Sequence, residues 1–66
     1  MNSKKLKAAL VEAGYNQRDF AAAVQMSKNT LNAKLNGKSP ITIDEALLFS
    51  EKLNLTKVNF EQIFLL

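Results

Sequence analysis

The stretch QRDFAAAVQMSKNTLNAKLNGKS, Gln17 to Ser39, decides how this chain folds, because it begins as a good helix and then abandons the pattern. Phe20, Ala21 and Val24 form an apolar stripe at helical spacing. Continued without a break, that stripe would run on to positions 27, 28 and 31, where Ser27 and Lys28 are polar. A bend at Gln25-Met26-Ser27 removes the conflict, since it turns Met26, Leu31 and Leu35 back onto the core that holds Phe20. Ala21 then lies where the two segments cross, and its methyl is about the largest group that permits a close approach.

The flanking residues supply starts and stops. Asn16 is a cap for a helix over 17–24, Ser27 for one over 28–35, and Asn36-Gly37 ends the latter with two residues that tolerate positive φ. Upstream, Ser3 can cap a helix over about 4–13, with Leu6, Ala9, Leu10 and Ala13 inward and Gly14 as a left-handed stop. Lys38-Ser39-Pro40 is a loop, because proline neither continues a helix nor favours one in the residue before it. Thr42-Ile43-Asp44-Glu45 has the S/T-x-x-E spacing of a capping box and opens a helix over 43–53. Its expected inward residues are Ala46, Leu47, Ser50 and Leu53, with Asn54 as the stop. The last stretch, TKVNFEQIFLL, permits a helix over about 57–64 capped by Thr56, with Asn59 as a competing start. No strand pattern competes with these assignments. The expected fold class is all-α, five short helices around one core in a single domain, residues 1–66.

Composition narrows the function classes. A chain of 66 residues buries only about 60% of the surface it exposes when unfolded, which leaves no room for a second domain or a deep catalytic cleft. It has no cysteine and no histidine, so disulfides, thiol nucleophiles and the commonest transition-metal ligands are excluded together. The close carboxylate pair Asp44-Glu45 is explained by helix capping and the positive end of the helix dipole. No enzyme, cofactor, metal or small-molecule substrate is expected. Apolar residues never run to about 18 in a row and the lysine-rich start lacks the apolar core of a signal peptide, so a cytoplasmic protein without a membrane span is expected. The net charge of +3 is unevenly spread: residues 1–38 hold seven basic against two acidic side chains, a net of +5, and residues 39–66 hold two against four, a net of −2. The basic half can face a polyanion.

Two short helices joined by a tight bend, the second one capped, describe a helix-turn-helix. On these residues NQRDFAAAVQMSKNTLNAKLNGKSP resembles the phage repressor and Cro family, also called XRE-like. That family's pattern runs glutamine, two variable residues, an aliphatic residue, alanine, a short turn with glycine, then a capped recognition helix ending in Asn-Gly. Gln17, Ala21, Leu31, Asn36 and Gly37 fall in register, with Phe20 at the aliphatic position. IDEALLFSEKLNLTKVNFEQIF is similar to the family's fourth and fifth helices, so the resemblance covers nearly the whole chain. One departure stands out: Gln25 occupies the turn position where the family most often has glycine, which predicts a small strain site costing roughly 1 kcal/mol.

The resemblance implies a compact five-helix lambda-repressor-like domain that binds operator DNA and represses transcription, from a phage or prophage, acting in a bacterial host cell. It implies a homodimer at least on DNA, with two recognition helices about 34 Å apart. Because the chain ends right after the five-helix domain, it resembles a Cro-like or modulator protein, or the N-terminal domain of a longer repressor. An antitoxin with the same DNA-binding fold, and a protein-interaction module that does not bind DNA, stand as alternatives.

With Leu31 and Leu35 buried, the opposite face of the third helix carries Asn29, Asn32, Ala33 and Asn36, and Lys28 lies at the N-terminal end that enters the major groove. Asparagine can pair with adenine, lysine can donate to guanine and an alanine methyl can pack on thymine, which makes Lys28, Asn29, Asn32 and Ala33 the expected base contacts. Gln17 begins a helix whose N–H groups can reach a phosphate, as the resemblance also implies. Arg18, Lys34, Asn36 and Lys38 are further phosphate candidates, and Ser27 is either a phosphate contact or a plain cap. Lys4 and Lys5 read as solubilising charge. Leu48, Phe49, Phe64, Leu65 and Leu66 form an apolar surplus that points to a dimer interface.

Overall fold

A computed structural model of the chain describes residues 1–65. It contains α1 (Ser3–Glu12), α2 (Gln17–Ala23), α3 (Lys28–Leu35), α4 (Ile43–Leu53) and α5 (Lys57–Phe60), the last continued by a wider π-helical segment, Glu61–Leu65. There is no strand among the described residues.

Each start is set by a short polar side chain. Asn16, Ser27, Thr42 and Thr56 cap their helices as their positions predict, and Thr42 and Glu45 complete the capping box in both directions. At α1 the cap is Asn2 rather than the expected Ser3: Asn2 Oδ1 accepts from Lys5 N–H at 3.0 Å, and Ser3 is already helical. Asn2 can do this because its own N–H is anchored on the Ile63 carbonyl at 2.7 Å, which ties the first residues to the final segment.

Four helices end in the same way. Gly14, Gln25, Gly37 and Asn54 all have positive φ, and the residue after each donates to a carbonyl five positions back: Tyr15 to Leu10, Met26 to Ala21, Lys38 to Ala33 and Leu55 to Ser50. This is the Schellman closure, which needs one left-handed residue per helix. Asparagine and glycine suit that role. Gln25, with φ of 59°, fills it at the bend between α2 and α3, where a Cβ costs roughly 1–2 kcal/mol. Gln25→Gly should therefore raise stability by about 1 kcal/mol and the melting temperature by roughly 4–8 °C. A thermal unfolding curve checks this; an unchanged or lower midpoint would mean that the bend is unstrained.

The core is one cluster built on Leu6, Phe20, Leu31, Leu35 and Phe49, all fully buried. Phe20 stands edge-on to both Tyr15 and Phe49, with ring centroids 5.1 and 5.2 Å apart, an arrangement that aromatic quadrupoles favour. The inward stripe of α4 is Ala46, Phe49 and Leu53, so the expected place of Leu47 is wrong: it is 55% exposed. The stripe is centred on Phe49 because that ring fills the space against Phe20. In the π-helical segment the extra residue per turn carries Ile63 into the core, and the Phe60 and Phe64 rings lie 5.0 Å apart. A single regular helix over 57–64 is thus corrected to one turn of α-helix followed by this wider segment.

Candidate nucleic-acid interface

The bend at Gln25 presents α3 with one face in the core and one in solvent. Leu31 and Leu35 are buried, Lys28, Asn29, Asn32 and Asn36 are exposed, and Ala33 is half-buried among them. All four expected base-reading residues therefore lie along the first six residues of one helix, roughly 9 Å of its length at 1.5 Å per residue. Lys28 and Asn29 make no side-chain hydrogen bond among the described residues, so their donors and acceptors are open. Asn32 is partly engaged: its Oδ1 accepts from Asn36 Nδ2 at 2.9 Å, while its own amide N–H groups have no hydrogen-bond partner among the described residues.

The phosphate candidates divide. Gln17 is the first residue of α2 and half-buried. Arg18 is exposed and loosely paired with Asp19 at 3.6 Å, and Lys38 is exposed just beyond α3. Ser27 acts as the cap: its Oγ accepts from Thr30 N–H at 3.1 Å and donates to Thr30 Oγ1 at 2.8 Å. Asn36 has its amide turned back on Asn32, donating to the backbone carbonyl at 2.8 Å as well as to the side chain, while its Oδ1 accepts from Lys7 Nζ.

That last bond reveals a cation that the sequence reading passed over. Lys7 belongs to α1, yet its ammonium sits at the C-terminal end of α3, beside the candidate phosphate contacts. The only local signal is that position 7 follows the buried Leu6.

Lys34 does not stand where its sequence position predicts, on a phosphate: it is 9% exposed, and its Nζ donates to the Pro40 carbonyl at 2.8 Å and to Glu45 Oε1 at 3.0 Å. An ammonium so enclosed is held by these acceptors, because a buried charge is tolerated only when paired and hydrogen-bonded. The Glu45 carboxyl is held below the ordinary glutamate value first by the Thr42 N–H, and then, against the opposing effect of burial, by the Lys34 ammonium. A carboxyl whose folded pKa is depressed contributes stability above its unfolded pKa, and loses that contribution as pH falls through the lowered folded value. Melting curves from about pH 7 to about pH 3 should show this acid loss, and Glu45→Gln should reduce it. An identical acid profile in the variant would separate Glu45 from the effect.

The apolar candidates also divide. Phe49 is fully buried in the core, so it cannot be an interface residue of the folded chain. Leu48 and Phe64 are half-buried against the same core, Leu65 is 68% exposed, and Leu66 lies outside the described residues. Leu65, Phe64 and Phe60 face Met1, Pro40 and Ile41 across an open groove of about 420 Å³. No helix among the described residues is long and apolar enough to cross a membrane.

A bent pair of helices with an exposed polar face on the second, inside a five-helix frame, is a helix-turn-helix domain. The Helix-turn-helix family model matches residues 6–59, and the chain belongs to that family. No curated protein and no solved structure matches it.

Proposed function

We propose that the chain is a sequence-specific transcriptional regulator of the phage repressor or Cro type, which occupies operator DNA with α3 in the major groove and thereby represses transcription. The observation that carries this reading is the solvent face of α3. Lys28, Asn29 and Asn32 offer base-pairing donors and acceptors there, with the cations of Lys7 and Lys38 at its far end. Lys28, Asn29, Asn32 and Ala33 read bases; Gln17, Arg18, Lys38 and the newly recognised Lys7 position the backbone. Two copies pair on DNA through the apolar groove that Phe60, Phe64 and Leu65 line.

Two variants test this division of roles by gel shift. Asn32→Ala should cost about 1–3 kcal/mol on the preferred sequence and leave random duplex unaffected. Lys38→Ala should weaken all sequences alike and lower the salt slope by about one per bound chain, about two for a pair on one site. Equal losses on preferred and random DNA for both variants would reject the assignment. No binding to any duplex at low salt would reject DNA binding itself and favour a protein-interaction module.

A further inference from the structure

Lys34 is the one buried charged side chain among the described residues. Its ammonium joins three parts of the chain. It leaves from the last turn of α3, meets the Pro40 carbonyl in the α3–α4 loop at 2.8 Å, and meets Glu45 in the first turn of α4 at 3.0 Å. The same Glu45 Oε1 also accepts the Thr42 N–H at 2.9 Å, so one carboxylate oxygen closes the α4 capping box and receives the lysine.

An apolar residue at position 34 would widen the Leu31–Leu35 stripe, and replacing a buried ion pair by packed apolar groups is often neutral or stabilising. Stability alone therefore does not account for a lysine here. What the pair supplies is direction, because a carbonyl lone pair and a carboxylate oxygen fix an ammonium in a way that apolar contacts, free to slide, do not. The loop held this way carries Gly37, Lys38 and Ser39. Beyond Lys34, its grip on α3 consists of backbone bonds from the Gly37 N–H to the Lys34 carbonyl and from the Lys38 and Ser39 N–H groups to the Ala33 carbonyl, at 3.2, 2.9 and 3.3 Å.

We propose that Lys34 and Glu45 are positioning residues which hold the α3–α4 loop against the end of the recognition helix and so place Lys38 for the DNA backbone. The role toward DNA rests on the DNA-binding reading above; the hold on the loop does not. Lys34 acts through the loop and contributes no phosphate contact of its own.

The test uses the double variant Lys34→Met/Glu45→Gln, in which both members are neutral, no buried charge is stranded, and glutamine keeps the capping box. Amide exchange of the free protein should be about tenfold faster at Lys38 and Ser39, with the amides of α2 unchanged. Affinity for duplex DNA should fall about tenfold while the salt slope stays that of the wild type, because Lys38 still reaches its phosphate in the complex but the freed loop must first be ordered. Lys34→Arg, which keeps the charge and the donors, should restore the slow exchange and most of the affinity. Wild-type exchange at Lys38 and Ser39 in the double variant overturns the proposal. So does a salt slope lowered by about one per bound chain, which would mean that a phosphate contact is lost outright rather than made more costly to order. Faster exchange with unchanged affinity rejects the coupling to DNA. A wild-type chain that binds no duplex sinks the DNA-binding reading instead, and the exchange rates then decide the hold on the loop by themselves. If the double variant does not fold, Glu45→Gln alone, with its cap intact, is measured in the same way.

Discussion

Phe49→Ala should remove most of the stability of this domain. The ring is fully buried, touches Phe20 edge-on and lies at the centre of the α4 stripe, so truncation leaves a cavity that short helices cannot close without losing other contacts. Such substitutions cost about 3–5 kcal/mol. A chain of this length has a total stability of roughly 3–10 kcal/mol, so the loss is comparable to the whole. Thermal unfolding followed by circular dichroism should show the midpoint lowered by roughly 15–30 °C, or no cooperative transition. A variant that melts like the wild type but self-associates less would return Phe49 to the interface where its sequence position first suggested it.

The second large effect is that of salt on DNA binding. Lys7, Arg18 and Lys38 leave three cations per chain available to phosphates once Lys34 is assigned to Glu45. Two chains on one operator would neutralise about six phosphates, which gives a slope of log affinity against log salt near −5. Affinity should then fall about a thousandfold between 50 and 200 mM salt. A filter-binding or fluorescence titration measures the slope directly. A value near zero would mean that the basic half of the chain does not face a polyanion.

The fold was readable because its signals were local. Asn16, Ser27, Thr42 and Thr56 each act on backbone within three residues, and Gly14, Gly37 and Asn54 take the left-handed conformations their types allow. Even the strain at Gln25 followed from one residue standing where glycine is usual. The failures are long-range. Lys34 lies only about 60° around α3 from Leu31 at 100° per residue, on the border between core and solvent, and only Pro40 in the α3–α4 loop and Glu45 beyond it decide which side it takes. Lys7 is placed by Asn36, 29 residues away. Asn2 prevails over Ser3 as the cap because its N–H is held by Ile63 at the other end of the chain. In α4 both Leu47 and Phe49 sit in an apolar run, and periodicity alone does not choose between them; the partner ring of Phe20 does. The outward face of α3 was legible for the opposite reason, since it depends only on where Leu31 and Leu35 point.

If α3 reads base sequence as one half of a symmetric pair, selection of bound sequences from a random duplex pool, at a salt concentration where random DNA is released, should enrich an inverted repeat whose half-sites are centred one helical turn apart, about 10 base pairs. A pool that binds at low salt but never converges on a sequence would show that α3 does not read bases.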